Sequence, residues 1–336
     1  MCVSMLALIT MKYLLLFLLL ISLQACQVVQ EVVDKAVNTT TTISDTVTYK
    51  ITQKITLINE GPSSPEKHNL WVALISDQPP YQEVISREIQ PANYVIGTDE
   101  YSNQYAEFDL KEMEPGSSTE IVISYEVAIN EITYDLMDCK GDLPNEFIDP
   151  ELHIESNNTQ IVSLAEELSS VNQTVCEQIR AFYDYIGNNL IYTYNGDNWG
   201  AQAALGKMGA DCTEFSSLLT ALSRASGIPA RYVEGLLYFD ESDDIEARQE
   251  HAWVELYFPE NGWTPVDPTL GRSTLTREQH FARYTPNHIV VTKGRNPSTL
   301  RGASYWSHLY WPGDSTTIRV QNADWTIAPQ TVTNNR

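Results

Sequence analysis

Positive charge is scarce in this chain. Of its 336 residues, 21 are Lys or Arg against 44 Asp or Glu, a formal net charge of −23. A surface of that sign repels phosphate, so the balance argues against nucleic-acid binding. Long apolar runs are missing after the first 25 residues, and no later segment could span a bilayer. Repeats and heptads are absent as well. The histidines His68, His153, His280, His288 and His308 show no compact ligand spacing, so no metal is expected, and no cofactor. What the chain does hold is aromatic: seven Trp and eighteen Tyr, enough with its β-branched residues to exclude disorder. Its length gives room for two domains, each with a core.

The one membrane-grade apolar run opens the chain. From Met11 it reads as one positive charge, Lys12, a compact apolar stretch, then small or neutral residues. That is the layout of a secretory signal, and Tyr13 to Leu23 is short for a transmembrane helix. The run resembles a prokaryotic lipoprotein signal: Leu23-Gln24-Ala25-Cys26 is similar to a lipobox, which implies that Cys26 is the lipidated first mature residue. An uncleaved anchor helix is the alternative, and both place the remainder outside the cytoplasm. Removing 1–25 takes away one Lys and no acid, so the mature charge is 20 minus 44, or −24. Residues 26–45, Thr-rich and polar, read as a tether.

From 46 to 130 the periodicity is two. The segment 46–59 alternates apolar with polar residues, and 70–76, 83–89, 105–110 and 118–129 follow as strand segments between Pro- and Gly-bearing loops. Several short strands without an intervening helix predict an antiparallel β-sandwich. No constellation suited to chemistry falls within it. Residues 131–160 form a polar, acidic junction. Cys139 lies here, and an oxidising compartment would permit a bridge to Cys176; two separate thiols are the alternative.

Residues 161–336 form the second domain, with its core at 165–290. Apolar spacing predicts helices near 161–170 and 175–190 and another from Thr213 to Ser226, ended by Gly227-Ile228-Pro229. Cys212 therefore stands at a helix N-terminus, where unsatisfied backbone donors and the dipole favour a thiolate. Strands are predicted over 231–239, over 251–257 and from Trp263 to Val266. A hairpin of the last two sets His251 and Asp267 on neighbouring strands. Cysteine, histidine and an acid are what nucleophilic acyl chemistry requires. Trp253 and Trp263 read as hydrophobic shell, Arg231 as an anchor paired with an acid, and Glu214, Glu234 and Glu255 have no distinct assignment. A strand over 286–294 and a last one over 316–320 are expected to complete the catalytic sheet or flank the cleft.

The ordered run GADC…GIPAR…HAWVEL…GW…DPT resembles the transglutaminase-like superfamily of papain-type fold over roughly 165–290. The resemblance implies an α+β chain, an N-terminal antiparallel β-sandwich followed by a transglutaminase-like (papain-like) α+β catalytic domain. It implies Cys212 as nucleophile, His251 as general base and acid, and Asp267 as the carboxylate that orients the histidine. Trp199 is the matching candidate for oxyanion support. The implied reaction is attack of Cys212 on a peptide or carboxamide carbonyl to a thioester, on a protein or peptide substrate in the cell envelope. Water then makes a protease or amidase, and a lysine amine makes a crosslinker. Thr213 stands where animal crosslinking members place Trp, and too few residues follow 290 for their two C-terminal β-domains; both departures favour hydrolysis. A non-catalytic envelope-binding or scaffold protein is the third alternative.

Overall fold

Alternation of buried and more exposed residues organises the two longest strands of the first half of the chain. The structure, a computed structural model, describes residues 41–136, 139–171, 174–194, 199–205, 209–239, 250–296, 308–312 and 317–330. The signal segment, Cys26 and most of the expected tether lie outside the described residues. Six strands come first: β1 (Thr41–Asn59), β2 (His68–Leu74), β3 (Gln82–Gln90), β4 (Tyr94–Thr98), β5 (Gln104–Asp109) and β6 (Ser118–Tyr134). In β1, Tyr49, Ile51, Gln53, Ile55 and Leu57 are buried while Lys50 and Lys54 face solvent. Its partner β6 buries Ile121, Ile123, Tyr125, Val127 and Ile129 in the same rhythm.

These two strands pair antiparallel from Thr41↔Tyr134 to Ile58↔Ser118, and β3 covers the far edge of β6. A second sheet pairs β2 with β5 and β5 with β4. Inner faces from both sheets, among them Ile51, Leu57, Leu70, Leu74 and Phe108, form one core. Each such side chain contributes about 1.5–3 kcal/mol when removed from water. The architecture is α+β, with a β-rich N-terminal region ahead of a mixed region.

The mixed region holds α1 (Thr159–Ser169), α2 (Val175–Asn189), α3 (Ala201–Ala204) and α4 (Cys212–Ala225). After them come β7 (Ala230–Leu237), β8 (Glu250–Phe258), β9 (Gly262–Val266), β10 (Arg283–Tyr284) and β11 (His288–Lys293). An antiparallel sheet runs in the order β11-β7-β8-β9. Helix α4 is the hub: every residue from Glu214 to Arg224 is buried, with Leu218, Leu219 and Leu222 in a second core beside Ile179, Phe182 and Val254. A disulfide between Cys139 and Cys176, Cα atoms 5.8 Å apart, fastens the junction to the first turn of α2.

The C-terminal strands correct an expectation. The strand expected over 286–294 does complete the mixed sheet, as β11, but the last strands do not: β12 (His308–Pro312) pairs with β2, and β13 (Ile318–Pro329) pairs with β1 from Tyr49↔Pro329 to Asn59↔Ile318. The physical reason is the edge. A strand as long as β1 presents a row of unpaired N–H and C=O groups on its free side, and β13 satisfies them. The first sandwich is thus built from both ends of the chain. Strand β1 also begins at Thr41, inside the segment read as tether, because its partner β6 continues to Tyr134.

The sandwich and the mixed region share a core. Val233, Leu236, Trp253 and Ile289 cluster with the sandwich residues, and β10 adds to β6 through Arg283↔Thr133. Two sandwich amides clasp β11: Gln82 accepts from Val290 N at 2.8 Å and donates to Val290 O at 3.1 Å. Asn103 likewise accepts from Lys293 N and donates to Lys293 O, both at 2.8 Å. One face of the mixed sheet is therefore held by the sandwich and the other by α4.

Candidate active site

The turn ahead of α4 places Cys212. Asp211 is the N-cap, accepting from Thr213 N at 2.9 Å, while the Glu214 carboxylate accepts from Asp211 N at 3.0 Å. This reciprocal capping box fixes the helix start at Cys212, the first helical residue. Burial pushes the Glu214 carboxyl up to about 7. Cys212 itself is a free thiol of intermediate exposure. Ser216, one turn on, donates to Ala252 O at 3.0 Å and ties α4 to β8 beside His251.

His251 is the second residue of β8 and Asp267 follows β9, both buried. His251 Nε2 lies 2.7 Å from Asp267 Oδ2. Burial pulls the His251 pKa down, but the Asp267 charge and hydrogen bond, joined by a hydrogen bond with Cys212, prevail and push it up to about 10. For Asp267, burial would raise the carboxyl, yet the charge and hydrogen bond of His251 and the hydrogen bond from His288 hold it well below the usual carboxylate range.

Asp267 is saturated. Oδ1 accepts from Thr269 N and Leu270 N, both at 2.9 Å, and Oδ2 faces His251 Nε2 at 2.7 Å and His288 Nε2 at 3.2 Å. An ionised carboxylate only accepts, so both Nε2 atoms carry their proton and the other nitrogen of His251 is left for a partner. Trp253 stacks beside His251, ring centroids 6.1 Å apart.

Sequence reasoning had set His288 aside for want of ligand spacing. It arrives by topology instead: β11 pairs with β7, β7 with β8, and two strand steps bring His288 to the carboxylate. The signal was present in the expected strand over 286–294, but not in residue spacing. Among the described residues, His251, Asp267 and His288 are also the group able to hold a metal ion, their ligand atoms lying within 4.8 Å of one another. The 2.7 Å approach of His251 to Asp267 is that of a charge-assisted hydrogen bond.

Trp199 is half-exposed, its ring edge-on to His153 at 5.9 Å. Glu234 pairs with Arg295 at 2.6 Å, and Glu255 pairs with Arg231 and Lys293, so these acids serve the frame. Arg231 is the anchor its position implied, and its guanidinium lies 3.8 Å over the Trp263 ring.

Comparison with known proteins places the fold. Residues 162–268 match the model of the transglutaminase-like superfamily core. The uncharacterized protein YebA of Bacillus subtilis is 29% identical over 130 residues, 33% of this chain and 18% of that protein. A protein-glutamine gamma-glutamyltransferase of Pseudomonas aeruginosa is 36% identical over 126 residues, 35% of this chain and 19% of the enzyme. The matched stretch is thus under a fifth of either relative's length. A solved structure provisionally named a cysteine protease, from Cytophaga hutchinsonii, superposes with a TM-score of 0.62 at 17% identity, covering 87% of this chain and 93% of that one. That last likeness spans the sandwich as well as the core, and it is a likeness of fold. Residues 162–268 thus match a transglutaminase-like core and follow a β-rich N-terminal region.

Proposed function

We propose that the chain is an extracytoplasmic thiol enzyme that cleaves peptide or carboxamide bonds through Cys212, His251 and Asp267. One observation carries the reading: His251 Nε2 lies 2.7 Å from Asp267 Oδ2, while α4, which begins at Cys212, is tied through the Ser216 hydroxyl to the carbonyl of Ala252, the residue after His251. Cys212 Sγ attacks the carbonyl carbon with its proton already held by His251, which Asp267 keeps protonated. The intermediate's oxyanion is met by the Cys212 backbone N–H, with Trp199 proposed as the second donor. As the carbon–nitrogen bond breaks, His251 gives the proton to the leaving amine and a thioester stands on Cys212. Water, deprotonated by His251, then releases the acid and restores the thiol.

Transamidation is the second reading, favoured by the 36% identity to the Pseudomonas aeruginosa gamma-glutamyltransferase. There an amine replaces water in the last step. Thr213 directly after the proposed nucleophile supports hydrolysis instead.

The location is part of the proposal. It rests on the signal-like layout of 1–25, with Cys26 as the lipid-bearing residue and anchor to the membrane, and on the Cys139–Cys176 disulfide, a bond that persists in oxidising compartments. Among the described residues no helix is long and apolar enough to cross a membrane.

The test is a peptide library incubated with the full chain and with Cys212→Ala, read by mass spectrometry. Cys212-dependent gain of one water supports hydrolysis, and loss of ammonia on joining glutamine to an amine supports transamidation. No product, with no adduct of thiol probes at Cys212, refutes both. Trp199→Phe should lower turnover without changing KM; unchanged turnover removes Trp199 from the mechanism. Mass analysis of the mature N-terminus should find lipid on Cys26, and an intact 1–25 segment contradicts the anchor.

A further inference from the structure

Asp267 has one oxygen fixed by the backbone and one that is not. Oδ1 is pinned by the amides of Thr269 and Leu270. Oδ2, in a residue 4% exposed, depends on side chains alone. We infer that His288 is a positioning residue for this site: it donates Nε2–H to the oxygen that receives His251, and so fixes where the carboxylate, and through it the His251 ring, points.

Three observations support the assignment, which rests on the proposed pairing of Cys212 with His251. The His288 ring is itself locked. Its Nδ1 lies 2.6 Å from Thr285 Oγ1, its backbone N–H donates to Thr285 O at 3.2 Å, and Tyr284 Oη donates to its carbonyl at 3.0 Å. Trp253 stands edge-on to it at 5.0 Å and 88°. Its donor is also determined by its neighbour: the Asp267 carboxylate only accepts, so Nε2, 3.2 Å from Oδ2, carries a proton aimed at it, while Nδ1 faces Thr285 Oγ1 and, at 3.1 Å, Asn287 Oδ1. Finally, β11 is held in place by Gln82 and Asn103 of the sandwich, so the N-terminal region reaches the site through His288. A histidine with both nitrogens engaged, where a leucine or phenylalanine would fill the volume, is what orientation of a second group requires.

The experiment measures the rate at which iodoacetamide alkylates Cys212, localised by peptide mass, in the full chain and in His251→Ala, His288→Leu and His288→Gln. The His288→Leu variant should slow alkylation about tenfold or more, the scale on which losing an orienting hydrogen-bond partner acts. His288→Gln, whose amide N–H can replace Nε2–H, should recover most of it at equal thermal stability. Wild-type rates in His288→Leu would overturn the proposal, as would an equal loss in both variants that tracks lowered stability. Should the unmodified chain react no faster than His251→Ala, the Cys212–His251 pairing fails and takes this inference with it. A His288 effect without any peptide or amide product would leave the positioning role standing and remove only the proposed reaction.

Discussion

Arg231 and Glu255 face each other across β7 and β8 and form an ion pair in which the acid is buried and the guanidinium half-buried. Lys293 adds a second cation 3.0 Å from Glu255, and the Tyr81 hydroxyl of the sandwich donates to the same carboxylate. One acid thus joins three strands and both parts of the molecule. Removing it would leave two cations without their partner. Glu255→Gln is expected to cost about 3–5 kcal/mol, the usual penalty for breaking a buried pair from one side. Urea unfolding of the two proteins checks the figure, and a loss under about 1 kcal/mol would mean that water already reaches the cluster.

The same acid sets a pH limit. Burial alone would raise its carboxyl, but Arg231 and Lys293 hold it at about 2 against an ordinary 4.5. The unfolded chain therefore binds a proton at Glu255 that the folded chain refuses, throughout the interval between those values. Its stabilisation is complete above 4.5 and is lost as pH falls through that interval. Asp267, also held low, acts in the same direction. Thermal melts across this range should show Tm falling with pH, and the slope should flatten in Glu255→Gln. An identical slope in both proteins would place the acid sensitivity elsewhere.

Gly235 predicts a packing effect on the site itself. A Cβ there would lie 2.2 Å from Ile289 O and 2.3 Å from the Trp253 ring. Trp253 has no room to retreat, being 1% exposed and wedged against His288. Gly235→Ala should cost about 1–3 kcal/mol by overpacking. It should also slow Cys212 alkylation, because the displaced indole borders both histidines. A variant that loses stability but keeps full Cys212 reactivity would show that the indole does not transmit to the site.

The disulfide closes a loop of 37 residues between the junction and α2. Constraining the unfolded chain over such a loop is worth about 2–4 kcal/mol. Cys176→Ala should lower Tm accordingly, and added reductant should lower the wild-type Tm but leave the variant unmoved. A variant as stable as the wild type would indicate that the two halves of this region hold together without the bond.

Local pattern made most of this legible in the sequence. Period-two alternation located β1, β3 and β6, and the apolar face from Thr213 to Ser226 with Gly227-Ile228-Pro229 located α4 and its end, while the capping box at Asp211 and Glu214 emerged only in the fold. His251 and Asp267 were legible because a short turn joins their strands. What stayed hidden depends on pairing between distant strands. Strand β4 buries none of its residues and so shows no alternation. The edge taken by β13 is a property of β1, some 260 residues earlier in the chain, which no local window contains. His288 belongs to the same class, a site residue placed by strand order.

Asp267→Asn separates the carboxylate's role from a metal ligand's. The substitution keeps one oxygen for the amides of Thr269 and Leu270 but turns an NH2 toward the Nε2–H groups of His251 and His288. Two donors cannot face each other, so His251 must move its proton to Nδ1, the nitrogen left for Cys212. An imidazole protonated there cannot accept the thiol proton. Cys212-dependent turnover should fall about 10,000-fold, as where a comparable carboxylate is made an amide, with little change in fold. Under the hydrogen-bond reading, a chelator such as EDTA leaves wild-type turnover unchanged. Loss of activity on chelation, restored by added zinc, would instead assign His251, Asp267 and His288 to an ion.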